Sequence, residues 1–254
     1  MLNYNFHSHT ERCGHAVGSD EDYVKSAIEN GFQYMGFSDH APFRGVHEPT
    51  TRMEKEDYPE YKDSIAQLKE KYKEDIHIFS GLECEFYQDH LDELERYHDE
   101  LDYLLLGQHY NKPYGKTFFA VESDDDVREY GQLVTDGMKT GLFSIVAHPD
   151  VFMVAQPEWN LTCQKVADRL CATALDQNVK LEVNLSGVRY GKLQKGELES
   201  YPYPFLPFWQ TVADAGVECV YGLDAHHPNR YKQTNLEEIK TFLGDLPLNI
   251  KETL

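Results

Sequence analysis

The stretch DYPEYKDSIAQLKEKYKEDIHIFSGLECEF, residues 57–86, joins two segments with different apolar periods. In its first part Tyr61, Ile65, Leu68 and Tyr72 fall at helical spacing. From Ile76 to Phe86 the chain reads as extended. A helix feeding a strand is part of a βαβ unit, so the question is whether the unit recurs along the chain.

It recurs from end to end. Strands are expected at 2–9, 34–40, 76–86, 102–109, 142–150, 179–187 and 217–226. Helices are expected at 19–31, 57–75, 89–101, 123–141, 160–178, 204–216 and 235–246. Ser19 and Asp22 form a capping box ahead of Tyr23, Val24, Ala27 and Ile28, and Gly31 ends that helix. The acid-rich start of 123–141 suits the positive end of a helix dipole. Such alternation implies α/β architecture with a parallel sheet under helices. Seven repeats in 254 residues favour one domain, 1–254, closed into a TIM-like (β/α)7 barrel. No Gly-x-Gly-x-x-Gly follows the first strand, which argues against a dinucleotide-binding sheet.

Composition narrows the function. The net charge of −20 repels phosphate backbones and disfavours broad nucleic-acid contact, yet it leaves room for a small anion held at a cationic cluster. The apolar runs are too short for a membrane span, and Met1 leads straight into LNYNFHSH without a basic or apolar leader. Five cysteines without paired spacing suit reduced thiols, so the expected location is the cytoplasm. The oligomeric state is not readable. The tract YPYPFLPFW (201–209) is either an exposed apolar surface or a packed loop entering a helix.

In parallel α/β folds, chemistry gathers at the carboxyl ends of the strands. There stand His7 and His9 with His15 in the following loop, Asp39 and His40, Glu83 and Glu85, His109, His148, Glu182 and Asn184, and Asp224 and His226. His7 and His9 are two apart and would point to the same side of a strand. Imidazoles with carboxylates suit zinc, iron or manganese, and so many candidates imply more than one ion. A carboxylate such as Glu83 could bridge two of them. Any one such histidine is more often structural; the converging set carries the metal reading. Cys13 reads as a small buried residue, and Glu85 as an even choice between a supporting and a bland role.

The motifs HSH, CGHA, GFSDHAP, GLECE, LGQHY, AHPD and GLDAH, in that order, resemble those of the polymerase-and-histidinol-phosphatase (PHP) superfamily, most closely its stand-alone histidinol-phosphate phosphatases. The resemblance implies a distorted seven-stranded barrel with three divalent transition-metal ions. It implies His7, His9, Glu83 and Asp224 on the first ion, with Glu83 bridging to a second held by His109 and His148. His15, His40 and His226 would hold the third. Leu223 stands where a small polar residue is expected, which removes one supporting hydrogen bond.

The expected reaction is hydrolysis of a phosphate monoester, L-histidinol phosphate, by a metal-bridging hydroxide in histidine biosynthesis. Arg44 and Arg189 are candidate phosphate forks. Glu11 and Tyr110 are candidates for the histidinol end, and Asp39 for orienting a ligand or protonating the leaving group. Two other readings compete: a PHP phosphoesterase acting on nucleotides or oligonucleotides, and a non-enzymatic metal-binding protein on the same fold.

Overall fold

The computed structural model describes residues 1–233 and 235–254. Six strands come first: β1 (Tyr4–Asn5), β2 (Tyr34–Phe37), β3 (His77–Cys84), β4 (Tyr103–Leu106), β5 (Ile145–Val146) and β6 (Lys180–Asn184). An antiparallel hairpin of β7 (Leu193–Lys195) and β8 (Leu198–Ser200) follows, then β9 (Glu218–Gly222) and β10 (Asn249–Ile250). All strands except the hairpin form one parallel sheet in the order β1-β2-β3-β4-β5-β6-β9-β10. The sheet has eight strands, not the expected seven. The extra one, β10, is two residues long and pairs with Glu218 and Cys219, too short to show a period in the sequence. The hairpin also fell outside the predicted elements.

Helices α1 (Asp20–Glu29), α2 (Tyr58–Lys71), α3 (Leu91–Glu100), α4 (Asp124–Lys139), α5 (Leu161–Gln177), α6 (Leu206–Ala215) and α7 (Leu236–Leu243) match the predicted segments. Ser19 with Asp22, and Ser123 with Asp126, close reciprocal capping boxes on α1 and α4. The Asn160 side chain accepts from the N–H groups of Thr162 and Cys163 at the start of α5.

Strand residues are buried almost throughout, as expected for a sheet covered by helices. Beyond β1 the chain turns to meet the chain beyond β9. His9 N–H donates to Ala225 O (2.9 Å) and Ala225 N–H to His7 O (3.0 Å), so the sheet curls and the ends of β1 and β9 approach one another. The tract 201–209 is a packed loop that enters α6 at Leu206, with Tyr203, Phe205, Phe208 and Trp209 buried. Phe205 N–H (2.6 Å) and Trp209 Nε1–H (3.0 Å) both donate to Asp150.

Candidate metal centre

His7 and His9 lie just past β1, on alternate positions of the short ladder with Ala225. Their rings therefore face the same way, with centroids 5.0 Å apart. β3 delivers Glu83 beneath them, and its two oxygens address different neighbours. Glu83 Oε2 is 3.3 Å from His7 Nε2, 3.4 Å from His9 Nε2 and 3.1 Å from His40 Nδ1. Glu83 Oε1 is 2.9 Å from His148 Nε2 and 3.3 Å from His109 Nε2. Asp224 Oδ1 completes the first group, 3.7 Å from His7 Nε2 and 3.5 Å from His9 Nε2. At the rim, His226 Nε2 and His15 Nε2 are 2.9 Å apart, and His40 joins them in a third group.

These spacings test whether cations fit. Tetrahedral ligands at zinc-like bond lengths are separated from one another by about 3.3–3.6 Å. The contacts among His7, His9, Glu83 and Asp224 fall in or next to that range. Nε2 of His7, Nε2 of His9 and Oε2 of Glu83 are all buried without a hydrogen-bond partner. Buried polar atoms are nearly always paired, so three converging unpaired ones mark a position suited to a metal ion. The residues fit.

The groups behind the ligands set their orientation. Glu182 Oε1 is 2.7 Å from His7 Nδ1, and its Oε2 accepts the His148 backbone N–H at 3.0 Å. His15 Nδ1 is 3.0 Å from the Cys13 carbonyl, which directs Nε2 to the rim group. His148 and Asp224 hold φ of +30° and +47°, a backbone region that costs a non-glycine residue energy and collects at functional positions. Gly107 after β4 is required by closeness: a Cβ there would lie 2.0 Å from Glu83 Oε1.

Electrostatics follow from burial and crowding. Burial opposes charge on Glu83, but the imidazoles of His109, His7 and His40 outweigh it and hold the carboxyl well below its usual range. Asp224 is likewise held low against burial by His7 and His226. Burial pushes His9 well down and His40 to about 4, which keeps both neutral, the form a cation requires. Burial pushes the Cys13 thiol up to about 12, in keeping with a buried thiol beside the site.

Above the cluster opens a cavity of about 390 Å³, walled by Thr50, Thr51, Tyr110, Phe119 and Arg189. The Arg189 guanidinium hydrogen-bonds the hydroxyls of Ser186, Tyr190 and Tyr203. The other expected contacts need correction. Arg44 does not line this cavity; its exposed side chain pairs with Asp92 at 3.0 Å. Glu11 is exposed and borders a different groove, with Arg12 and Glu60. Asp39 is fully buried, and its oxygens accept from Thr10 N–H (2.7 Å) and Oγ1–H (2.9 Å), so it braces the turn after His9 and does not reach the cavity. Burial pushes Asp39 up to about 7 against those two bonds.

Sequence reasoning missed Arg52, Thr50, Thr51 and Phe119. The first three lie in a loop without periodicity, and Phe119, whose ring stacks on His109, lies in a three-residue 3-10 turn too short to show one. Glu182 was visible at its strand end, but its partners were not.

The PHP domain family matches residues 5–186. The chain belongs to the PHP family. A relative from Deinococcus radiodurans, named "Probable histidinol-phosphatase", is 28% identical over 240 residues, covering 87% of this chain and 85% of its own. Histidinol-phosphatase of Bacillus subtilis is 30% identical over 116 residues, 41% of this chain and 42% of its own. The solved histidinol phosphate phosphatase of Lactococcus lactis, complexed with zinc, L-histidinol and phosphate, superposes with a TM-score of 0.75 over 98% of this chain and 95% of its own, at 17% identity. That likeness supports the shared PHP fold.

Proposed function

We propose that this chain, acting as a single domain over residues 1–254, is a metal-dependent phosphate monoester hydrolase that converts L-histidinol phosphate and water to L-histidinol and phosphate. The observation carrying the metal chemistry is the division of Glu83, one oxygen facing His7, His9 and His40 and the other facing His109 and His148. A carboxylate so placed suits a bridge between two cations. The substrate is supported by relatives named for histidinol phosphate, one at 28% identity over 87% of the chain.

In this reading His7, His9, Glu83 and Asp224 hold the first ion. Glu83, His109 and His148 hold the second, and His15, His40 and His226 the third. Bound there, the ions supply Lewis acidity towards phosphoryl oxygens and activate water near neutral pH. Glu182 holds His7 in one orientation and tautomer by taking its Nδ1–H. Arg189 offers a planar cation to the phosphate from the cavity wall, where its present partners are hydroxyls. Tyr110 and Phe119 flank the cavity and exclude water around the organic end of the ester. The second wall, at Thr50 and Thr51, supplies hydroxyls for its polar groups.

The test is phosphate release across a panel of esters. Metal-loaded protein should hydrolyse histidinol phosphate fastest, lose the rate on chelation and regain it on adding back zinc or manganese. His148→Ala should abolish turnover while the circular dichroism spectrum stays native. Faster cleavage of nucleotide phosphates would replace the substrate, and metal binding without any cleavage would replace the enzyme reading.

A further inference from the structure

The irregular segment between β2 and α2 brings Thr50 and Thr51 to the cavity and then buries the next side chain, Arg52, which is 1% exposed. A guanidinium taken out of water is tolerated only when its donors are matched. Here they are. Nε donates to Glu48 Oε2 (2.8 Å), Nη1 to Ala41 O (3.0 Å) and Glu85 Oε2 (3.0 Å), and Nη2 to Glu85 Oε1 (3.2 Å). The cation also lies 5.6 Å from the centre of the Phe43 ring.

Two of the three residues reached, Ala41 and Glu85, adjoin candidate ligands. Ala41 follows His40, and Met53 N–H returns to His40 O at 3.4 Å. Glu85 Oε1 is 3.3 Å from His109 Nδ1, and the opposite nitrogen of that ring faces Glu83 and His148. Just before Arg52, the Pro49 carbonyl lies 1.9 Å from where a Cβ on Gly14 would sit, so the same loop presses on the residue before His15. Gly14 has φ +78°, which a side chain rarely adopts. One buried side chain thus ties together the segments carrying His40 and His109, its own loop abuts the segment carrying His15, and it touches none of their ring nitrogens.

We propose that Arg52 is a positioning residue for the metal centre: through Glu85 it fixes the His109 ring with Nε2 turned inward, and through Ala41 it holds the His40 segment in place. This inference rests on the metal reading given above. The planar fork matters because it engages both Glu85 oxygens and thereby leaves Oε1 aligned with His109 Nδ1. Without it, a buried carboxylate lacking its counter-ion would reorient towards other donors and take the His109 ring with it. A neutral amide at position 85 carries no such charge.

The experiment compares Arg52→Met, Arg52→Lys and the double variant Arg52→Met/Glu85→Gln in full-length protein. Zinc affinity is read by competition with a chromophoric chelator, and ligand geometry by the electronic spectrum of the cobalt-loaded form. Arg52→Met should weaken at least one zinc by about 10–100-fold and alter the cobalt spectrum. Arg52→Lys should recover only part of the loss. The double variant should bind more tightly than Arg52→Met alone, which a packing role would not produce. Unchanged affinity and spectrum in Arg52→Met, or a double variant no better than the single, would overturn the proposal. Should Arg52→Met fail to fold, Glu85→Gln alone decides: a shifted cobalt spectrum supports the relay and an unchanged one removes it. No phosphate ester enters these measurements. A chain that binds metal but does not cleave histidinol phosphate would therefore overturn the substrate and leave the role of Arg52 separately decided.

Discussion

Glu182 Oε1 lies 2.7 Å from His7 Nδ1, linking the carboxylate of β6 to a candidate ligand beyond β1. Its second oxygen holds the backbone of His148, so a single side chain orients two candidate ligands from different strands. Carboxylates behind metal-bound imidazoles typically govern affinity by about 10–100-fold. Glu182→Gln, which keeps the shape and removes the charge, should weaken zinc binding by about that factor in a chelator competition. Equal affinity would detach Glu182 from the centre.

Removing metal should destabilise the fold. Ions that bind only the native state stabilise it by about 4 kcal/mol when present at a thousand times their dissociation constant. For a chain of this size that corresponds to a rise in Tm of about 10 °C. Calorimetry with and without chelator should show a fall of that order, reversed by zinc. A Tm insensitive to chelation would mean that the ligand atoms do not share ions in the native state.

Gly107→Ala should injure the centre from the side. Its Cβ would enter the space of Glu83 Oε1, 2.0 Å away, and the carboxylate must swing aside. Overpacking of this kind costs about 1–3 kcal/mol, read by urea unfolding. Elemental analysis should show lost metal in protein that still folds. Full metal content would show that Glu83 can shift without cost.

The two arginines separate cleanly. Arg189→Ala should raise KM for the phosphate ester by about 10–100-fold, the loss of a charge-assisted contact of about 1.5–3 kcal/mol. Arg44→Ala removes only an exposed pair with Asp92, so it should leave both KM and stability unchanged. Steady-state kinetics on both variants decides whether the cavity wall or the outer surface receives the phosphate.

The clustering of the candidate ligands was legible because strand ends in a parallel sheet are predictable from the alternation, and histidine is scarce enough to stand out there. Parity in His7-x-His9 carried over even though the regular strand ends at Asn5, because the ladder to Ala225 continues the alternation. Arg44 misled because it follows the His40 motif in sequence while its side chain leaves the site in space. Asp39 misled for the opposite reason, since it stands next to a ligand but turns into the core. Arg52 was invisible because a buried ion pair to a residue 33 positions away leaves no local pattern. β10 escaped because two residues cannot display a period.

The rim pair His15 and His226 is separated by 211 residues, and Asp224 meets His7 and His9 across a similar span. A nascent chain emerging from the ribosome displays the N-terminal imidazoles long before their late partners exist. Proper capture of cations must therefore wait until the segment carrying Asp224 and His226 has been made. Metal loading then follows the making of β9, and a product cut short before it would lack the Asp224 carboxylate that faces His7 and His9.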